Sequence, residues 1–157
     1  MTKDVVISVT GIQVDTEDSG SVEMISHGEY YFQNGKHFII YEEKSEDSVS
    51  KNILKISDHK IELSKKGDIS VQMIFEPGKR YLTYYHTPYG KLLIGLHTHK
   101  VKFVEEEDYL GIHIEYGLAI NYTHASDCSI KIRIRSRLAD KNDIQPELQV
   151  TRKNSQS

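Results

Sequence analysis

Eight histidines are spread along the 157 residues, and three of them, His97, His99 and His113, stand with Glu115 in two neighbouring stretches of alternating pattern. Imidazole and carboxylate are ligands for zinc and similar ions, so the question is whether the chain brings these four to one point. If a strand ending at Val104 pairs with one starting at Tyr109, and one extra residue near Thr98 to Lys100 forms a bulge, His97 falls opposite Glu115 and His99 opposite His113. Directly opposed side chains start about 4.5 to 5.5 Å apart at Cβ, close enough to converge on an ion. One reading is therefore a metal-assisted centre. The other is a solvated face that carries scattered histidines.

A second constellation is the row Lys131, Arg133, Arg135 and Arg137. Same-face residues of a strand recur about every 6.6 to 6.8 Å, so the row is a linear positive stripe suited to phosphates. The alternative is a charged outer wall that pairs with Glu115 and discourages association along a sheet edge. The third constellation is Tyr84, His86, Tyr116, Tyr122 and Ser136, which share the parity of the apolar positions around them. They are expected inside the fold, where a polar group needs a neighbour, a water or a ligand.

Other chemistry has no foothold. There is no phosphate-cradling glycine loop, no Gly-x-Ser-x-Gly elbow and no CxxC pair. Cys128 follows Asp127 without a companion and reads as incidental. No cofactor is expected, and an enzyme is the least supported class.

The elements that must position these groups are strands. Leu110, Ile112, Ile114, Tyr116, Leu118, Ile120 and Tyr122 occupy every second position, with small or polar residues between them, which is the period of a half-buried strand. Ile130, Ile132, Ile134 and Leu138 repeat the pattern opposite the basic row. Earlier, Val5, Ile7 and Val9 alternate toward Val14. Residues Asp15 to His27 lack a period and read as a loop. Asn34-Gly35 separates Glu29–Phe32 from Lys36–Glu42 as a two-residue hairpin turn. Val49–Ser57 and Lys60–Ser64 follow, and then Ile69, Val71, Met73 and Phe75 alternate up to Pro77-Gly78, which fits a type II turn. Leu82, Tyr84 and His86 precede a turn at Thr87-Pro88-Tyr89-Gly90, and Leu92, Ile94 and Leu96 resume the alternation.

These segments add up to about ten strands joined by short turns, with no sustained helical period. The expected fold is all-β, a single antiparallel meander β-barrel of about eight to ten strands, because closure removes two exposed edges. Its domain is expected to span residues 1–139, with 140–157 as a flexible tail. The 38% hydrophobic content suits one core. The first ten residues are too polar for a signal peptide or membrane span, and a single cysteine suits a reducing compartment, so a cytoplasmic location without membrane association is expected. A net charge of −3 argues against a globally basic nucleic-acid binder, leaving the local stripe as the candidate surface.

Lys66-Gly67, Met73-x-Phe75, Gly78 and Tyr85-x-Thr87-Pro88-Tyr89-Gly90 resemble the YwiB-like family of small bacterial proteins, a family without an assigned function. Arginine is the more usual residue before the glycine equivalent to Gly67, where this chain has Lys66. The resemblance implies a calycin-like barrel, similar to lipocalins and fatty-acid-binding proteins, and supplies no catalytic residues. Three readings stay open: a non-enzymatic barrel holding a small ligand in its interior, an RNA- or protein-contacting module on the basic strand, and a metal-dependent enzyme around His97, His99 and His113.

Overall fold

A computed structural model describes residues 1–13 and 21–137. It contains ten strands: β1 (Asp4–Gln13), β2 (Ser21–Gln33), β3 (Lys36–Ser45), β4 (Ser48–Ser57), β5 (Lys60–Lys66), β6 (Val71–Phe75), β7 (Arg80–Thr87), β8 (Gly90–Glu106), β9 (Tyr109–Ile120) and β10 (Thr123–Ser136). All ten belong to one sheet in the order β6-β5-β4-β3-β2-β1-β10-β9-β8-β7, with the ladders between neighbours antiparallel. Consecutive strands pair throughout except β6 and β7, the two edges, and β1 pairs β10 from Val5 with Ser136 to Gln13 with Cys128. The meander curls into a nearly closed barrel.

The remaining edges, β6 and β7, meet as a loosely stitched seam. At one end Ser70 and His86 exchange backbone hydrogen bonds of 3.0 and 2.9 Å. At the other, the turn between them is tied instead to β8: Gly78 N donates to Thr98 O at 2.9 Å and Thr98 N to Lys79 O at 3.2 Å. Between these points the two strands form no ladder.

The local reasons are those the residues impose. Asn34 and Gly35, with φ of 54° and 76°, turn β2 into β3, the positive φ that Asn and Gly tolerate best. Inward positions carry Val5 and Ile7 of β1, Ile39 of β3, Leu54 and Ile56 of β4, Ile61 of β5, Phe75 of β6, Leu96 of β8, Ile112 and Ile114 of β9 and Ile132 and Ile134 of β10, all buried. Side chains of this size from opposite walls fill the middle of a small barrel. Within β8 the register slips between Thr98 and Lys100, the bulge that the parity change required.

Two expectations need correction. Residues 21–27 are strand rather than loop: they pair with β1 from Ser21 opposite Ile12 to His27 opposite Val6. Their apolar members fall on both faces, Val22 and Ile25 being exposed while Met24 packs on the core, so no period shows. The alternation of β9 also stops before Tyr122, because Asn121 and Tyr122 are the turn itself, at φ of 50° and 70°. The expected tail, residues 140–157, lies outside the described residues, as do Leu138 and Ala139.

Candidate functional site

One end of the barrel gathers the turns after β2, β4, β6 and β8, and between them opens a recess of about 370 Å³. Its polar centre is His37, the second residue of β3. The Asn34-Gly35 turn reverses the chain so that His37 lies opposite Phe32, on the inward face shared with Ile39 and Tyr41. His37 is only 6% exposed. Its ring packs against Phe32 at a centroid distance of 4.9 Å and, across the mouth, against Phe103 of β8 at 5.6 Å. Ile56, Ile61, Pro77 and Val101 add apolar wall.

Both ring nitrogens are addressed. The Tyr30 hydroxyl lies 2.7 Å from Nδ1, and a carboxylate oxygen of Glu105 lies 3.7 Å from Nε2. Burial, and then Glu105, push the Tyr30 hydroxyl above its ordinary pKa, so it keeps its proton. Burial pushes His37 down while Glu105 opposes the shift, which leaves a neutral imidazole at pH 7. With the carboxylate facing Nε2, the tautomer that satisfies all partners carries its proton there: Tyr30 donates to Nδ1, and Nε2–H points toward the Glu105 side. The recess therefore presents one oriented N–H donor and one carboxylate within an aromatic wall.

Nothing in the sequence alone marks out this group as a whole. Its signal was the parity of His37 with Ile39 and Tyr41 immediately after a strong turn, but Glu105 and Phe103 join it only through the β8 register. The residues expected inside are divided. Tyr116 and Ser136 do face inward: the Tyr116 ring lies 4.9 Å from Phe75, and burial, then Cys128 to which its hydroxyl bonds, raise its pKa, while Ser136 Oγ donates to Asp108 Oδ1 at 2.7 Å. Tyr84 and His86 are on the outer wall, Tyr84 being 48% exposed beneath the Lys91 ammonium, 4.5 Å from its ring. In β7 the inward set is Tyr81, Thr83 and Tyr85, and tyrosines on both faces hide that parity. Tyr122, in its turn, is 72% exposed.

The four expected metal ligands do not converge. The β8–β9 turn is tighter than the four residues read for it: Glu106 already pairs with Tyr109, so the ladder slides by two residues. His97 then faces Gly117, and His113 faces Lys102. His113 Nε2 instead lies 3.0 Å from Ser129 Oγ and 3.7 Å from Glu115. His97 and His99 gather with His124 and Asp127 around a shallow outer recess floored by Gly95, Gly117 and Ala119. Among the described residues no three His, Cys, Asp or Glu side chains are disposed to hold a metal ion.

Comparison with known proteins adds the lineage. Residues 7–132 match the family described as "Domain of unknown function (DUF1934)". The chain belongs to this family. Among solved structures it is similar to the YwiB protein from Bacillus subtilis, with a TM-score of 0.76 and 19% identity, covering 85% of this chain and 91% of that one. At that identity the likeness speaks for the fold. No curated protein matches the chain, and no helix of the described residues is long and apolar enough to cross a membrane.

Proposed function

We propose that this DUF1934 barrel is a non-enzymatic binding protein for a small, partly apolar molecule, seated at the mouth around His37. The observation that carries the reading is the His37 group itself, an imidazole held by Tyr30 at Nδ1 and facing the Glu105 carboxylate with Nε2, set in an apolar recess of about 370 Å³. That volume is within the range of roughly 300 to 1,000 Å³ usual for ligand sites, and few polar groups among apolar walls is the usual composition of such sites. The resemblance to calycin-like barrels supports the reading by analogy of fold. In lipocalins the ligand occupies the interior, whereas here Ile, Leu and Phe side chains occupy the middle, so the seat moves to the end. The chemistry favours a flat or branched apolar body bearing a hydrogen-bond acceptor for Nε2–H, with Lys60 and His59 on the rim beside it.

Native mass spectrometry of the protein purified from its own cells tests this. Wild type should retain a molecule on the order of a few hundred daltons, the size such a volume takes, and a Phe103→Ala/His37→Leu variant that keeps its circular dichroism should lose it. A bare wild-type mass under gentle conditions, or equal retention by the variant, would end the proposal.

A further inference from the structure

Away from the mouth, on the outer wall, the ladder places two lines of cations on either side of β9. On β10, Lys131, Arg133 and Arg135 point outward and are exposed, and Arg137 continues the line past the strand end. On β8, Lys100 and Lys102 point outward. The register ties the lines together: Lys102 and Lys131 are both directly opposite His113, and Arg133 is opposite Gly111. With strands about 4.7 to 4.9 Å apart, the two lines run roughly 9 to 10 Å from each other. Between them β9 contributes Gly111, His113, Glu115 and Gly117, and on the far side of β10 the neighbours are Ser8 and Thr10. The floor is therefore low, and the cations stand above it.

These charges are not spent inside the protein. None of Lys100, Lys102, Lys131, Arg133, Arg135 or Arg137 forms an ion pair among the described residues. Arg137 approaches His27 Nδ1 at 3.3 Å, and Arg135 lies 5.7 Å from the Tyr109 ring centroid. The carboxylate in the lane is Glu115, held 3.7 Å from His113, while Glu23 of β2 and Glu106 of β8 lie at its margins. Six like charges on one wall of a chain whose net charge is −3 repel one another, a cost that a bound polyanion would relieve.

The geometry points to this wall as a seat for the phosphate backbone of single-stranded RNA, lying along β9 between the two cationic lines. An acidic protein segment fits less well, because the lane lacks the buried aromatic or aliphatic anchors on which protein interfaces concentrate their energy. Base recognition is also absent from it: Tyr109 lies over Gly111, with its hydroxyl 2.8 Å from where a Cβ would be, and Arg135 covers it. Binding is accordingly electrostatic and tolerant of sequence.

Fluorescence anisotropy with a labelled 20-nucleotide single-stranded RNA tests the assignment. Four to six phosphate contacts predict that log K falls with log salt at a slope of roughly −3 to −4, a loss on the order of 100-fold between 50 and 200 mM salt. Arg133→Glu/Arg135→Glu should weaken binding at least tenfold and flatten the slope by about 1.4 or more. Lys44→Glu/Lys51→Glu, an equal charge change on β3 and β4, should leave most of the affinity. If the glutamate pair disturbs folding by circular dichroism, Arg133→Gln/Arg135→Gln serves with a smaller expected loss. No binding at 50 mM salt, equal loss in the control pair, or tighter binding of a poly-glutamate peptide of equal length would each overturn it.

Discussion

His37 shows how much one position can be made to depend on its neighbours. Its imidazole is enclosed by Phe32, Phe103 and Tyr30, and that enclosure disfavours the charged ring more strongly than Glu105 favours it. A histidine whose folded pKa lies below its ordinary value of 6.5 binds fewer protons in the folded chain than in the unfolded one between those two values. Its contribution to stability is thus complete above the ordinary pKa and is lost as pH falls through the folded one. Urea denaturation of wild type and of His37→Gln between pH 5 and 7.5 should show the wild-type advantage shrinking on acidification. Parallel curves would mean that the ring titrates alike in both states.

At the level of the element, β2 is where two halves of the sheet are joined unequally. It pairs with β1 along Ser21–Glu29, but with β3 only from Gly28 onward, so Gly28 sits where both ladders begin to coexist. A Cβ there would stand 2.9 Å from Ile40 O and 3.3 Å from Tyr41 Cβ. Gly28→Ala should therefore destabilise the fold by about 1 to 3 kcal/mol, the usual range for an overpacked site, read as a lower urea midpoint at constant slope. A neutral or stabilising result would show that β3 can move aside. Most of the strand grammar was legible in the sequence, because Asn34-Gly35, Pro77-Gly78 and the parity slip at Thr98–Lys100 each have one local solution. What escaped was whatever depends on pairing partners. A turn shorter by two residues after β8 moved His97 away from Glu115 and carried Glu105 into the mouth, and nothing local distinguishes those alternatives. In β7, where Tyr81 and Tyr85 face in and Tyr84 faces out, residue type does not report the face.

At the level of the molecule, the barrel is held all round except at the seam. β9 has full ladders on both sides, with β8 and β10, whereas β6 is a five-residue strand bonded on one side to β5, joined to β7 only by the Ser70–His86 bridge before it, and followed by a turn tied to β8. Local opening costs least where fewest hydrogen bonds and buried contacts must be broken. Native-state hydrogen exchange should accordingly release β6 and β7 amides well before those of Ile112 and Ile114. Simultaneous exchange of the two regions would mean that the barrel opens only as a whole. The position of the seam places this weakness beside Pro77 and Val101, on the wall of the recess, so opening there would widen the way in to His37.

The same topology has a consequence for biosynthesis. The ladder that completes the barrel joins β1 to β10, the first described strand to the last, while the weak join falls between strands adjacent in sequence. As the chain leaves the ribosome, β1 to β6 emerge as a half-sheet whose β1 edge has no partner until the remainder is made. Val5 and Ile7 must wait for Ile132 and Ile134. For most of its synthesis, then, the nascent chain carries an open, apolar strand edge of the kind that invites chaperones or pairing with another copy, and it is the arrival of β10 that withdraws it.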